Sequence, residues 1–238
     1  MDNRLLSLLP VELRQAVEQI EGEIGSAIAI GVLPDATRRA IGNVPALAID
    51  QGERSLTVRL LLPAGDLPPK HMIGHEIIHA KRTIIDRAPI LLDRFQPPRL
   101  VVTAINNDAE HLHVIPLETE YFPEARDFWE HEFVQMLRKF GDRLECDPDR
   151  RAIRNDMLRG WLTTSVTVPN WDHANTLKAL LGAVGAFSDA ENLMRVYSRI
   201  STDPVAVLST LVRFHRLPAD GFQVVSVGQS PRALPMHS

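Results

Sequence analysis

Two β-rich runs, residues 44–50 (VPALAID) and 55–63 (SLTVRLLLP), stand one short turn apart, and the apolar stretch MIGHEIIHAKR follows at 72–82. This strand, strand, helix succession constrains the chain more than any other feature. The runs are rich in aliphatic and β-branched residues, and Gln51-Gly52-Glu53-Arg54 between them has the composition of a turn joining two strands. Gly65-Asp66-Leu67-Pro68-Pro69 then breaks the period-two pattern. Beyond the break, Met72, Ile73, Ile77, Ile78 and Ile84 recur at helical spacing, and Pro89 ends that helix at the latest.

The flanks extend this frame. Pro10 opens a first helix and Gly25 closes it. The run AIAIGV reads as a short buried strand, and Asp35 to Gly42 as a brief capped helix. Helices are expected from near Pro98 (RLVVTAINNDAEHL) and from near Pro123 to Gly141. Beyond Asp147 the chain is mainly helical, with a capping box at Ser188-Asp189-Ala190-Glu191, a helix start at Asp203-Pro204 and a last strand FQVVSV. LTTSVTVPN reads as a possible strand between Trp161 and Trp171, two rings assigned to core packing. The fold class is therefore α+β: a mixed α/β half that includes the helix carrying the histidines, followed by a mainly helical C-terminal half. The division is set at 1–146 and 147–238.

Within the helix, His75 and His79 are four residues apart and share a face. Two imidazoles so placed can bind one metal ion, with zinc–nitrogen bonds of about 2.0–2.1 Å. Glu76 is turned about 100° from His75. From there a carboxylate can take a proton from a water whose pKa zinc lowers to about 7. The plainer alternative is a pair of core histidines satisfied by hydrogen bonds, since bare buried imidazoles are costly.

His75-Glu76-Ile77-Ile78-His79 resembles the HExxH signature of the zincin metallopeptidases. The resemblance implies Zn2+ as cofactor, His75 and His79 as ligands, Glu76 as general base and a sheet lying on the active-site helix. The metzincin branch continues with Gly and His where this chain has Arg82 and Ile85, so that branch is excluded. The gluzincin plan takes a Glu from a later helix. Its Asn-Glu-x-x-x-Asp pattern is replaced here by Asn106-Asn107-Asp108-Ala109-Glu110-His111. Catalytic zinc usually has three protein ligands. Glu110 is expected as the third, with Asn106 and Asn107 supporting it. His111 is its rival, assigned otherwise to a contact behind the ligands or to the transition state.

Other residues are read more blandly. His71, one turn before His75, could stand behind the ligands but is taken as a surface group, as are Glu118 and Glu120. Glu130-His131-Glu132 is read as a solvated or partner-facing stretch, and Tyr121 and His215 as candidates to stabilise an oxyanion. A net charge of −4 without a dense Lys/Arg stripe argues against nucleic acid as a partner. No apolar run reaches membrane-spanning length, and no basic n-region precedes a small-residue cleavage site. The single cysteine, Cys146, cannot pair within the chain, which favours a reducing compartment. The expectation is a cytoplasmic zinc peptidase acting on a protein or peptide. A zinc hydrolase of another bond and a non-enzymatic regulatory protein with a zincin fold are the alternatives.

Overall fold

In the computed structural model the chain is described over residues 1–52, 55–94, 100–146 and 150–235. It forms two compact units interleaved along the sequence. The first comprises Met1–Ala88, Leu117–Pro123 and Ser226–Gly228, and the second Pro89–Pro116, Glu124–Val225 and Gln229–Ser238. The division expected after residue 146 falls at 147–149, outside the described residues, as do Glu53 and Arg54 of the expected turn.

The first unit begins with a short helix α1 (Asn3–Leu6) and then α2 (Val11–Ile24). Leu13, Ala16, Val17 and Ile20, spaced three, one and three, form the buried stripe of α2. Gly25 ends it with φ 69°, a left-handed turn that a residue without Cβ adopts freely. Next come β1 (Ala29–Val32), α3 (Asp35–Ile41), β2 (Ala46–Gln51), β3 (Leu56–Leu62) and α4 (Lys70–Ile84). The three strands make a mixed sheet in the order β1-β3-β2, with β1 parallel and β2 antiparallel to β3. Val58, Leu60 and Leu62 alternate inward along β3. The strand at AIGV forms as expected but is not buried: it is an edge, and Ile30 and Val32 are exposed. Helix α4 packs against α2 and touches β2. It is buried over most of its circumference, through His71, Ile73, Gly74, His75, Ile77, Ile78, Ala80 and Ile84.

The second unit contains β4 (Ile90–Asp93), most of α5 (Leu100–Tyr121), α6 (Ala125–Cys146), α7 (Arg150–Thr167), α8 (Ala174–Ala183), α9 (Phe187–Ile200), α10 (Pro204–Phe214), β5 (Phe222–Val225) and β6 (Arg232–Ala233). The last two strands and β4 form an antiparallel sheet in the order β4-β5-β6. Ile105, Leu112, Phe133, Ile153 and Met157 anchor its core, which Trp171 joins and on which Trp161 packs.

Three expectations in this unit are corrected. The Thr-rich run 163–167 is helical: Thr164 and Thr167 donate to the carbonyls of Gly160 and Thr163 at 2.8 Å, so buried β-branched hydroxyls are satisfied within α7. Helix α9 starts at Phe187 on Ala186 without a side-chain cap, so the capping box at Ser188 does not form. Asp203 does cap α10, accepting from Val205 and Ala206. Finally, Asn106 is engaged with β4 and not with Glu110 in the bonds described. Its amide accepts from the Leu91 N–H at 2.7 Å and donates to the Leu91 carbonyl at 2.9 Å, standing in for a neighbouring strand beside β4. Among the described residues no helix is long and apolar enough to cross a membrane.

Candidate metal centre

Helix α4 carries His71, His75 and His79 at successive turns, which aligns the three rings along one side. His75 is 8 % exposed and its ring meets that of His79 edge to face, with centroids 4.8 Å apart. The two Nε2 atoms face each other at 3.1 Å. Two nitrogens on one tetrahedral zinc, at bond lengths of about 2.0–2.1 Å, lie about 3.3 Å apart. The observed spacing therefore suits a shared ion.

The opposite edge of His75 is held by a residue that the sequence analysis placed on the surface. Helix α5 does not stop near His113. It continues through Pro116 to Tyr121, and its last turn belongs to the first unit. Glu118 on that turn is 1 % exposed. One carboxylate oxygen lies 2.7 Å from His75 Nδ1 and the other 2.7 Å from His71 Nδ1. His71 is likewise buried, not exposed. Four residues after Glu118, Phe122 lies on Gly74: a Cβ built there would come 2.2 Å from the ring. Gly74 is thus the small residue that lets the last turn of α5 approach α4.

Glu76 accepts a hydrogen bond from the Leu47 backbone N–H of β2. Burial pushes its carboxyl up to about 7; the neighbouring His75 opposes the rise, Glu118 adds to it, and the Leu47 N–H opposes it. A base with a pKa near the ambient pH is matched to proton transfer.

On the part of α5 in the second unit, His111 precedes Glu118 by seven residues, so its direction differs from that of Glu118 by about 20°. Glu110, eight residues before, is turned by about 80° and is half-buried. The amide nitrogen assigned to Asn107 lies 3.4 Å from His111 Nδ1, and the His111 ring meets Trp129 edge to face at 5.4 Å. His215 lies in the core of the second unit beside Leu158, Leu193 and Leu211, and burial lowers its pKa to about 4. Tyr121 is half-buried at the end of α5.

No protein-family model, curated protein or solved structure matches the chain. The site therefore stands on its own geometry. His75, His79 and Glu76 were legible as a motif. Glu118 was missed, and His71, weighed for a place behind the ligands, was assigned to the surface. The signal for His71 was its place four residues before His75. The signal for Glu118 was the apolar pair Val114-Ile115, which carries the α5 pattern on toward Pro116.

Proposed function

We propose that the protein is a zinc-dependent hydrolase, and specifically a zincin-like metallopeptidase acting on a protein or peptide. The observation that carries this reading is the convergence of His75 Nε2 and His79 Nε2 at 3.1 Å, on a ring whose Nδ1 is already taken by a buried carboxylate. The same 3.1 Å is the length of a hydrogen bond between the two rings; the buried carboxylate behind His75 and the buried Glu76 beside it favour the metal.

His75 and His79 of the first unit present two imidazole nitrogens that could share one metal ion. For the third donor we favour His111 over Glu110, because it shares the α5 face of Glu118. With the Asn107 amide turned so that its oxygen accepts from His111 Nδ1–H, the lone pair of His111 is on Nε2. When bound, zinc supplies a Lewis acid that polarises a carbonyl and acidifies water. Glu76 would then take the proton from the attacking water and return it to the leaving amine. The N–H of Leu47 holds its carboxylate, and in the metal-free chain burial raises its pKa to about 7. The mixed sheet beside α4 fits a zincin plan, and the free, exposed Cys146 fits a reducing, cytoplasmic setting.

The test is hydrolysis of an unstructured protein and a mixed peptide pool by the zinc-loaded chain and by Glu76→Gln. The parent should cleave, and the variant should be slower by roughly 10²–10⁴-fold while keeping its metal. Equal turnover in the two, or cleavage that survives removal of metal, would overturn the reading.

A further inference from the structure

Glu118 is the most enclosed polar residue among the described residues of the first unit, and it serves two imidazoles at once. A carboxylate in this position accepts, so each facing Nδ1 carries the hydrogen. That fixes His75 as the Nδ1–H tautomer and leaves the lone pair of Nε2 directed at the point shared with His79. Glu118 is also held against rotation. Its second oxygen is bound to His71 Nδ1 at 2.7 Å, one helical turn before His75. Its carbonyl accepts from the Phe122 N–H at 2.7 Å, and the Phe122 ring fills the space above Gly74. Glu118 on the last turn of α5 and Phe122 just beyond its end thus meet three residues of α4: His71, Gly74 and His75.

We propose that Glu118 is the positioning residue of this centre, and that His71 is its anchor. Glu118 sets the tautomer and the aim of His75, while His71 occupies the other oxygen so that the carboxylate plane cannot swing away. Neither residue touches the reacting atoms. The inference rests on the metal reading above, and it assigns His71 a role that an isolated carboxylate–imidazole pair would not need. Ligating imidazoles generally bind metal more weakly when the acceptor behind them is lost, by roughly 10–100-fold.

The experiment is a zinc titration of the full chain against a chromophoric chelator, with folding followed by circular dichroism and His75 tautomer by imidazole 15N shifts. Glu118→Gln should weaken zinc binding by roughly 10–100-fold and turn the single Nδ1–H signal of His75 into a mixture. His71→Leu should weaken it in the same direction, and His71→Asn should restore it, because the Asn Nδ2–H lies near the place of the lost ring donor. A folded Glu118→Gln that keeps the parent's zinc affinity and the parent's His75 tautomer overturns the proposal. If Glu118→Gln does not fold, the His71 pair decides: Leu and Asn variants that both bind as the parent does overturn it. If the parent itself takes up no zinc, the metal reading fails, and the His75 tautomer in metal-free parent and Glu118→Gln still decides the positioning role.

Discussion

Gly74→Ala should destabilise the protein, although alanine is the better helix former. At an exposed position inside a helix the change would add about 1 kcal/mol. Here the new methyl would sit 2.2 Å from Phe122 Cε2, 2.8 Å from Cζ and 3.2 Å from a Leu13 methyl. Carbon atoms in contact rest near 3.5–4.0 Å. The ring must therefore retreat by more than 1 Å, and Phe122 is only 1 % exposed, with no open space to enter. Overpacking of this kind costs about 1–3 kcal/mol, and so large a shift belongs at the upper end. The net loss should be about 2 kcal/mol. Because Phe122 follows Glu118 by one turn, the displacement should also move the carboxylate off His75 and weaken metal binding. The assay is urea unfolding of Gly74→Ala, Phe122→Leu and the double variant. Phe122→Leu makes room, so the double variant should be more stable than additivity allows, by about 1 kcal/mol or more. A Gly74→Ala protein as stable as the parent or more so, or strict additivity, would refute the packing argument.

In the second unit, Asp108 and His215 should oppose each other in acid. Burial, despite Arg159, raises Asp108 to about 6, and burial first, with Arg159 next, lowers His215 to about 4. His215 contributes stability that is present above about pH 6.5 and lost toward pH 4, whereas Asp108 costs stability as pH rises from about 4 to 6; each amounts to about 3 kcal/mol at full extent. Relative to the parent, Asp108→Asn should therefore gain stability between pH 4.5 and 6.5 and His215→Leu should lose it, as read by urea midpoints at the two pH values; the same trend in both variants would contradict the assignment. Asn106→Ala should cost about 2–3 kcal/mol, because it removes both hydrogen bonds to Leu91 of β4, and unfolding midpoints within error of the parent would show those bonds to be unimportant.

The parts of the fold that were legible are those where one local signal decides. Pro10 and Gly25 bracket α2 because each favours its end of a helix for a backbone reason. Strand β3 alternates, and β2 and β3 are both aliphatic runs bounded by turn residues. The motif helix was fixed by its apolar period. The parts that were missed depend on tertiary context. Pro116 reads as a helix stop, yet α5 passes through it, and Val114 and Ile115 on its N-terminal side are fully buried. Once the helix is cut short on paper, Glu118 falls in a loop and looks like surface charge; only the position of its turn against α4 turns it into a buried acceptor. Thr163, Thr164 and Thr167 mimic a strand because β-branching is a property of the residue, while the carbonyls that satisfy two of the hydroxyls exist only in the helix. Asn106 looked like support for a ligand, and nothing local reveals that the backbone of Leu91, fifteen residues before it, claims its amide.

The most direct test of the central claim is the zinc content of the purified chain after equilibration at neutral pH, by elemental analysis, beside His75→Ala, His79→Ala, His111→Ala and Glu110→Ala. The account predicts about one zinc per parent chain, loss of it in the three histidine variants and retention in Glu110→Ala. A parent chain that takes up no zinc, or zinc that stays when His75 and His79 are removed, would contradict it.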